Sequence, residues 1–402
     1  MSVRVVVTGA GVVSAIGCGL EEFERNLYGG CTGIGPSPLM GDGAVAAEVR
    51  NFTPQQWLGS KGIRVLDRSA RLLSVAAQMA LSSTGLVQQE GAEGDPNLGL
   101  VCGTMFGSVH SITSFDWSGL TDGPAYVNPM EFPNTVINSP AGQAAIKHKL
   151  RGVNSTISAG LVSGLYAIHY AAEFLRFGRA KALLAGGVEE LCEESFLSFR
   201  KVGVTSPRGR VEPFAPGRDG VVLGEGSALW MLETEDSARA RGVQPLLEIR
   251  GFGAAHDAQS INSYRVQAEG ATSAIRQALE AAGIEPAQVA CIIAASSGSR
   301  AADAMEYHAL QAVFGDRLAA TPVCAPKAAF GEALGASGAL CAVAGGLALS
   351  KQQLPPTARF SDSDYPLRLA AEPQPVAGDY ALVNCFGCDG NNAALVLGRV
   401  CN

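Results

Sequence analysis

The chain is poor in histidine, with five in 402 residues: His110, His148, His169, His256 and His308. No two are spaced as metal ligands, so the sequence assigns no metal. Charge is also scarce. Asp, Glu, Lys and Arg make up 17%, and the net charge of −7 comes without any long basic run. Nucleic acid and anionic membrane surfaces are therefore not expected partners. No apolar stretch reads as an uninterrupted membrane span. The opening MSVRVVVTGAG enters a strand at once, without the pattern of a secretory leader, so the expected location is the cytoplasm. A disulfide framework is missing too. Ten cysteines are scattered from Cys18 to Cys401, as reduced thiols of a long chain are. Cys385 and Cys388 form one CxxC, but no second pair or nearby histidine completes a zinc site.

What is abundant is apolar and small. The chain is 47% hydrophobic and has 49 glycines, which fits a tightly packed α/β protein with buried strands and close turns. Its length exceeds one simple core and allows two large layered units. Two halves are visible. The first opens with Val5-Val6-Val7 and a TGAG turn; the second opens near Pro245 with LLEIRGFGAAHD, again a strand into a glycine turn. Each half carries a further strand ending in small residues, LGLVCGTMFG from Leu98 and VACIIAASSGS from Val289. The charged run Glu233 to Arg241 reads as an exposed connector. The pattern is that of an internal duplication with two buried sheets. A dinucleotide-binding reading of the opening fails, because the required third glycine position is Ser14 and no acid closes a matching second strand.

The segment Asn154 to Glu190, NSTISAGLVSGLYAIHYAAEFLRFGRAKALLAGGVEE, reads as a small-residue turn, a helix, a strand, then a glycine pair and an acid. Leu165, Ile168, Ala172 and Leu175 recur at near-helical spacing, which buries one face, and Gly178 stops the helix. Ser163 belongs to the turn and helix start, with no adjacent base to activate it. This segment resembles the nucleophile segment of β-ketoacyl synthases, in which a cysteine sits two residues before the Ser-Gly pair. That place sets a thiol at a helix N-terminus, where the macrodipole favours a thiolate. Here it is Leu161. The likeness extends along the chain. FPNTVINSPAGQAAI (Phe132 to Ile146) is similar to the family's dimer-interface segment, and LLAGGVEE to its Ala-Gly-Gly-x-Glu. PFAPGRDGVVLGEGSAL, APKAAFGEALGASGAL and NCFGCDGNNAALVL are similar to its Arg-Asp-Gly, lysine–histidine and gate-loop elements. The resemblance implies an α/β thiolase fold, a duplicated αβαβα five-layer arrangement that dimerises by pairing central strands. It implies an N-terminal half over residues 1–240 and a C-terminal half over 245–402.

Active members of the family load an acyl chain from a carrier protein on the cysteine. Two histidines promote malonyl decarboxylation and stabilise the enolate and oxyanion. With Asp303 and Glu306 matched to the family's acidic pair, the first histidine place is Ala295; a small shift makes it Ser296 or Ser297. The second, after Gly331, is Glu332. Lys327 is retained, with Glu332 or another acid to pair with, and Val221 replaces an aromatic residue. Phe386 is the gate residue by resemblance and equally a core aromatic on a glycine-flanked loop. Loss of all three catalytic side chains with the scaffold kept resembles the chain-length factor of type II polyketide synthases. Such a subunit is silent, forms a heterodimer with an active ketosynthase, works on acyl carrier protein and needs no cofactor. It shapes the tunnel that sets chain length in polyketide, polyene or fatty-acid-like biosynthesis.

If the segment Gly103 to Trp117 is helical from about Ser108, then Val109, Ile112 and Asp116 share one face. In the factors it resembles, those places line the tunnel. Val109 and Ile112 read equally as ordinary core. A carboxylate in an apolar tunnel needs a partner or a raised pKa. Either Asp116 turns aside, or Phe106, Phe115 and Trp117 do more of the shaping. The rival reading is an independent thiolase-fold enzyme with an altered site, a malonyl decarboxylase or acyltransferase using another thiol such as Cys324 or Cys385.

Overall fold

Val5–Ser14 is one strand, buried along all ten residues. TGAG is therefore not a turn. The glycines lie within the strand because the Arg68–Thr84 helix presses on it. A Cβ on Gly11 would fall 1.9 Å from the Ala76 carbonyl oxygen, and one on Gly9 2.4 Å from Ser83 Oγ. The second half repeats the device. Leu247–His256 is a continuous strand, and Cβ atoms on Gly251 and Gly253 would fall 2.2 Å and 2.1 Å from carbonyls of the Glu269–Ala282 helix. Both expected glycine turns are thus corrected to strands that admit a helix at close range.

The computed structural model describes residues 3–89, 91–259 and 263–400. Its main sheet runs Val323–Cys324, Val289–Ile293, Tyr380–Phe386, Asn391–Arg399, Leu247–His256, Val5–Ser14, Gly226–Thr234, Ala182–Glu189, Leu98–Gly103, Asn154–Ile157. Read outward from the middle, the two halves have the same order and polarity. Each has two antiparallel pairings followed by two parallel ones. The two half-sheets pair through Val6 with Glu248 and Val7 with Leu247.

Three apolar clusters fill the space between layers. One packs the Arg68–Thr84 and Ser139–His148 helices on the first half-sheet. Another packs the Glu269–Ala282 and Arg300–Phe314 helices on the second. The largest holds the Ser163–Arg176 and Ser337–Lys351 helices between the two half-sheets. The architecture is the duplicated five-layer αβαβα thiolase fold. Leu165, Ile168, Ala172 and Leu175 are buried, as their spacing requires. Two expectations need correction. Leu334–Lys351 does reach membrane-spanning length and apolarity, but most of it is buried as central-layer core. The charged run at 233–241 is not simply exposed. Glu233 is fully buried, accepts from Thr8 Oγ1 at 2.8 Å and pairs with Arg241, and Thr234 caps the Glu235–Ala240 helix.

Gly11→Ala and Gly253→Ala are expected to destabilise the chain by about 1–3 kcal/mol each, since the helix must back away from the strand. Gly142→Ala, in the Ser139–His148 helix with open space at its Cβ, should be neutral or stabilising by up to about 1 kcal/mol. Urea unfolding of the three variants checks the contrast.

Candidate active site and tunnel helix

The small-residue turn before the Ser163–Arg176 helix is closed by its own serine. Ser163 Oγ donates to the Gly160 carbonyl at 2.6 Å and accepts from the Ala159 N–H at 2.9 Å. Its hydrogen-bonding capacity is used in the turn, consistent with a structural role. Gly160 has φ +64° and abuts Asp389 of the gate loop so closely that a Cβ would collide with the carboxylate. Leu161 points into an apolar cluster with Ala46, Leu191, Phe196, Val221, Leu223 and Leu334, against which Met105 and Phe106 pack. Val221, which stands where the family pattern has an aromatic, is therefore a direct part of the packing around the nucleophile place. Phe106 also meets Phe199 edge-on, with ring centroids 6.4 Å apart.

Ala295 and Glu332, the expected histidine places, border one gap, lined also by Tyr264, Ser296, Ser297 and Phe386 among others, and too narrow for a water-sized sphere. Acids organise its walls. Glu306 accepts from the Ala295 N–H at 2.8 Å, Ser296 Oγ at 2.5 Å and Asn384 Nδ2 at 3.0 Å. Asp303 accepts from the Phe214 N–H at 2.6 Å, with Arg218 Nε 3.5 Å away, and burial pushes its carboxyl up to about 7. Glu332 does pair with Lys327. Lys327 Nζ donates at 2.7 Å and Ser337 Oγ at 2.5 Å, with both charged side chains almost wholly buried. Burial alone would lower the Lys327 pKa; the carboxylate outweighs it and raises it above the ordinary lysine range. Phe386 lies buried at the end of the Tyr380–Phe386 strand, so it faces the gap and is core at once. Reading motifs did not find Tyr264, Ser337 or Asn384. Asn384 stood inside the quoted NCFG run, but nothing in the sequence showed which acid it serves.

The helix expected from about Ser108 exists as Val109–Thr121. Val109 and Ile112 are half-buried and Asp116 is exposed, so within one chain the cost of burying that carboxylate does not arise. Phe115 packs on Phe132 at 5.8 Å, and Trp117 is exposed. The acids of LLAGGVEE reach this region. Glu189 accepts from the Met105 N–H at 2.6 Å, the Phe106 N–H at 3.0 Å, Thr104 Oγ1 at 3.2 Å and the Gly335 N–H at 3.1 Å. Glu190 accepts from the Ser69 N–H at 3.1 Å, and burial, with the like charge of Asp67 beside it, pushes it up to about 8. The thiols of the rival reading are poorly placed. Cys324 and Cys385 are buried, burial raises both, Cys385 to about 12, and Cys385 donates to the Leu161 carbonyl at 3.2 Å. A reactive thiol needs the opposite setting. No shared cluster places His148, His169, His256 or His308 at the gap: His148 is buried against the Ser74 carbonyl at 2.8 Å and His169 stacks on Phe252 at 4.2 Å.

Five layers, a nucleophile turn at the head of a central helix, and two further segments converging on one gap define a ketosynthase-type member of the thiolase-fold class. The models for the β-ketoacyl synthase N-terminal and C-terminal domains match residues 2–238 and 246–361, and the chain belongs to the β-ketoacyl synthase family. The family's reaction is of acyltransferase type. The chain is 33% identical over 410 residues to 3-oxoacyl-[acyl-carrier-protein] synthase 2 of Coxiella burnetii, covering 99% of both. Two solved structures match over 100% of both chains. One is the ishigamide ketosynthase/chain length factor, 29% identical with TM-score 0.92. The other is AntDE:AntF, a type II PKS acyl-carrier protein in complex with its ketosynthase bound to the hexaketide, 26% identical with TM-score 0.88.

Two outcomes follow from the buried charges. Lys327→Met should cost about 3–5 kcal/mol, because it leaves Glu332 buried without its cation, while Lys327→Met with Glu332→Leu should recover most of that loss; denaturant titration measures both. Glu190 keeps its proton longer in the folded state, so its contribution to stability falls as pH rises from about 4.5 towards 8 and is level above. Glu190→Gln should flatten that part of the stability profile between pH 5 and 8.5, read by thermal melts across pH.

Proposed function

We propose that this chain is a catalytically silent ketosynthase-like subunit, a chain-length factor. It pairs with an active β-ketoacyl synthase and completes the tunnel into which an acyl chain grows on acyl carrier protein. The observation that carries this reading is the filling of all three catalytic places. Leu161 is packed among apolar side chains, Ala295 offers no proton carrier, and Glu332 is tied to Lys327 and Ser337. Condensation needs a thiolate and two imidazoles around one substrate, and none of these groups is supplied here.

A heterodimer is supported by the surface. Trp117, Leu120, Tyr126, Met130 and Phe132 are 61–81% exposed. They cluster in sequence around the segment that resembles the family's interface, and so large an apolar area calls for a covering partner. The Asn154–Ile157 strand ends the main sheet with one neighbour, leaving an edge for a strand of the partner. The likeness to a ketosynthase/chain length factor and to a ketosynthase carrying its acyl-carrier protein supports both partner classes. The role fits type II polyketide, polyene or fatty-acid-like biosynthesis.

The test compares the purified chain with the chain co-expressed with an active ketosynthase, each given acyl- and malonyl-carrier protein. The chain alone should neither take an acyl label nor condense, and Leu161→Cys should not restore turnover, because neither Ala295 nor Glu332 supplies an imidazole. The pair should extend chains, and Ile112→Trp should shorten them by overlap in the tunnel. Condensation at ordinary rates by the isolated chain overturns the reading.

A further inference from the structure

The Val109–Thr121 helix has no fully buried residue, so apolar packing inside the chain does little to hold its angle. Its first turn is held by carboxyl groups instead. Ser111 Oγ donates to Asp67 Oδ2 at 3.1 Å, His110 Nδ1 lies 3.1 Å from Glu194 Oε1, and the His110 N–H reaches Glu190 Oε1 at 3.4 Å. The three acids come from three separate places: Asp67 caps the Arg68–Thr84 helix, Glu190 follows the Ala182–Glu189 strand, and Glu194 lies in the first turn of the Glu193–Lys201 helix. Each is itself fixed or adjoins a fixed group. Asp67 Oδ1 accepts from the Ala70 N–H at 2.8 Å, Glu190 from the Ser69 N–H at 3.1 Å, and Glu189 holds the preceding turn through Met105 and Phe106. Negative charge at a helix N-terminus is favourable, so Asp67 and Glu194, where ionised, sit where the dipole reinforces them.

We propose that Asp67, Glu190 and Glu194 are positioning residues that set the tilt of the Val109–Thr121 helix and thereby the length of chain the heterodimer makes; this rests on the tunnel reading above. The lever is geometric. Thirteen residues span about 20 Å, so a tilt of about 5° at the first turn displaces the far end by about 1.5 Å, one carbon–carbon bond. Val109 and Ile112, in the first turn, move less; Phe115 moves more, and shifts against Phe132, which lies outside the helix. Product length would then depend on residues that never touch the growing chain.

The experiment uses Ser111→Ala and Glu194→Ala, singly and together, with Ser111→Thr as the conservative control and Ile112→Trp as the tunnel reference. Products of the reconstituted pair are resolved by length, and amide hydrogen exchange is followed on the isolated chain. The double variant should reduce the share of the dominant product at least about twofold in favour of other lengths, because a support left loose blurs the geometry it holds. Exchange at residues 110–114 should speed up about tenfold as local opening becomes easier. Ser111→Thr should restore both readouts. Unchanged product lengths in the double variant, while Ile112→Trp shortens products, overturn the proposal and leave the tunnel reading standing. Products unchanged by Ile112→Trp remove the tunnel reading, and the link to chain length falls with it. Unchanged exchange overturns the anchor itself in either case.

Discussion

The site is assembled around one buried carboxylate. Glu189 receives four donors, three from the Thr104–Phe106 turn and one from Gly335, which follows the second histidine place in the other half of the chain. A buried acid with so many donors is costly to leave half satisfied, so the turn, the strand that carries Glu189 and the Gly335 segment hold one another in place. The close approach has no slack. A Cβ on Gly335 would lie 2.5 Å from the Met105 nitrogen and 2.6 Å from the Glu189 oxygen. This contact ties the strand that carries Glu189 to the Gly335 segment of the other half, beyond the two residue pairs that join the half-sheets.

The side chains around this contact are satisfied locally. Leu161 adds apolar contacts to a cluster that contains Val221 and Leu334. Glu332 would be an unpaired buried charge, except that Lys327 and Ser337 both donate to it. Each side chain satisfies packing or charge locally, and the gap that Glu332 shares with Ala295 and Phe386 is too narrow for water. The polar scaffold of Glu306, Asp303 and Asn384 persists because it supports backbone, not substrate. The Val109–Thr121 helix, by contrast, lies on the body of the chain with no fully buried residue and polar contacts at its first turn.

Periodicity and motif order were enough to read the repeated strand-and-helix pattern, the buried face of the Ser163–Arg176 helix and the helix from Val109, since each depends on neighbours in sequence. The glycine segments at 9–11 and 251–253 were misread as turns. A glycine demanded by a helix pressing on a strand looks the same in sequence as one demanded by a positive φ. The charged run at 233–241 hid a buried Glu233 for a similar reason, because its partners Thr8 and Arg241 converge only in the fold.

The sequence by itself determined that Leu161 is not a cysteine and that Ala295 and Glu332 are not histidines in a chain with the motifs of a thiolase-fold scaffold, because residue identity is a property of the chain. Only the tertiary structure decided that Leu161 and Glu332 are buried, that Lys327 neutralises Glu332, and that Asp67, Glu190 and Glu194 meet at the first turn of the Val109–Thr121 helix. Burial and pairing are relations between segments far apart along the chain, and they acquire an energy only when the fold removes the water between them.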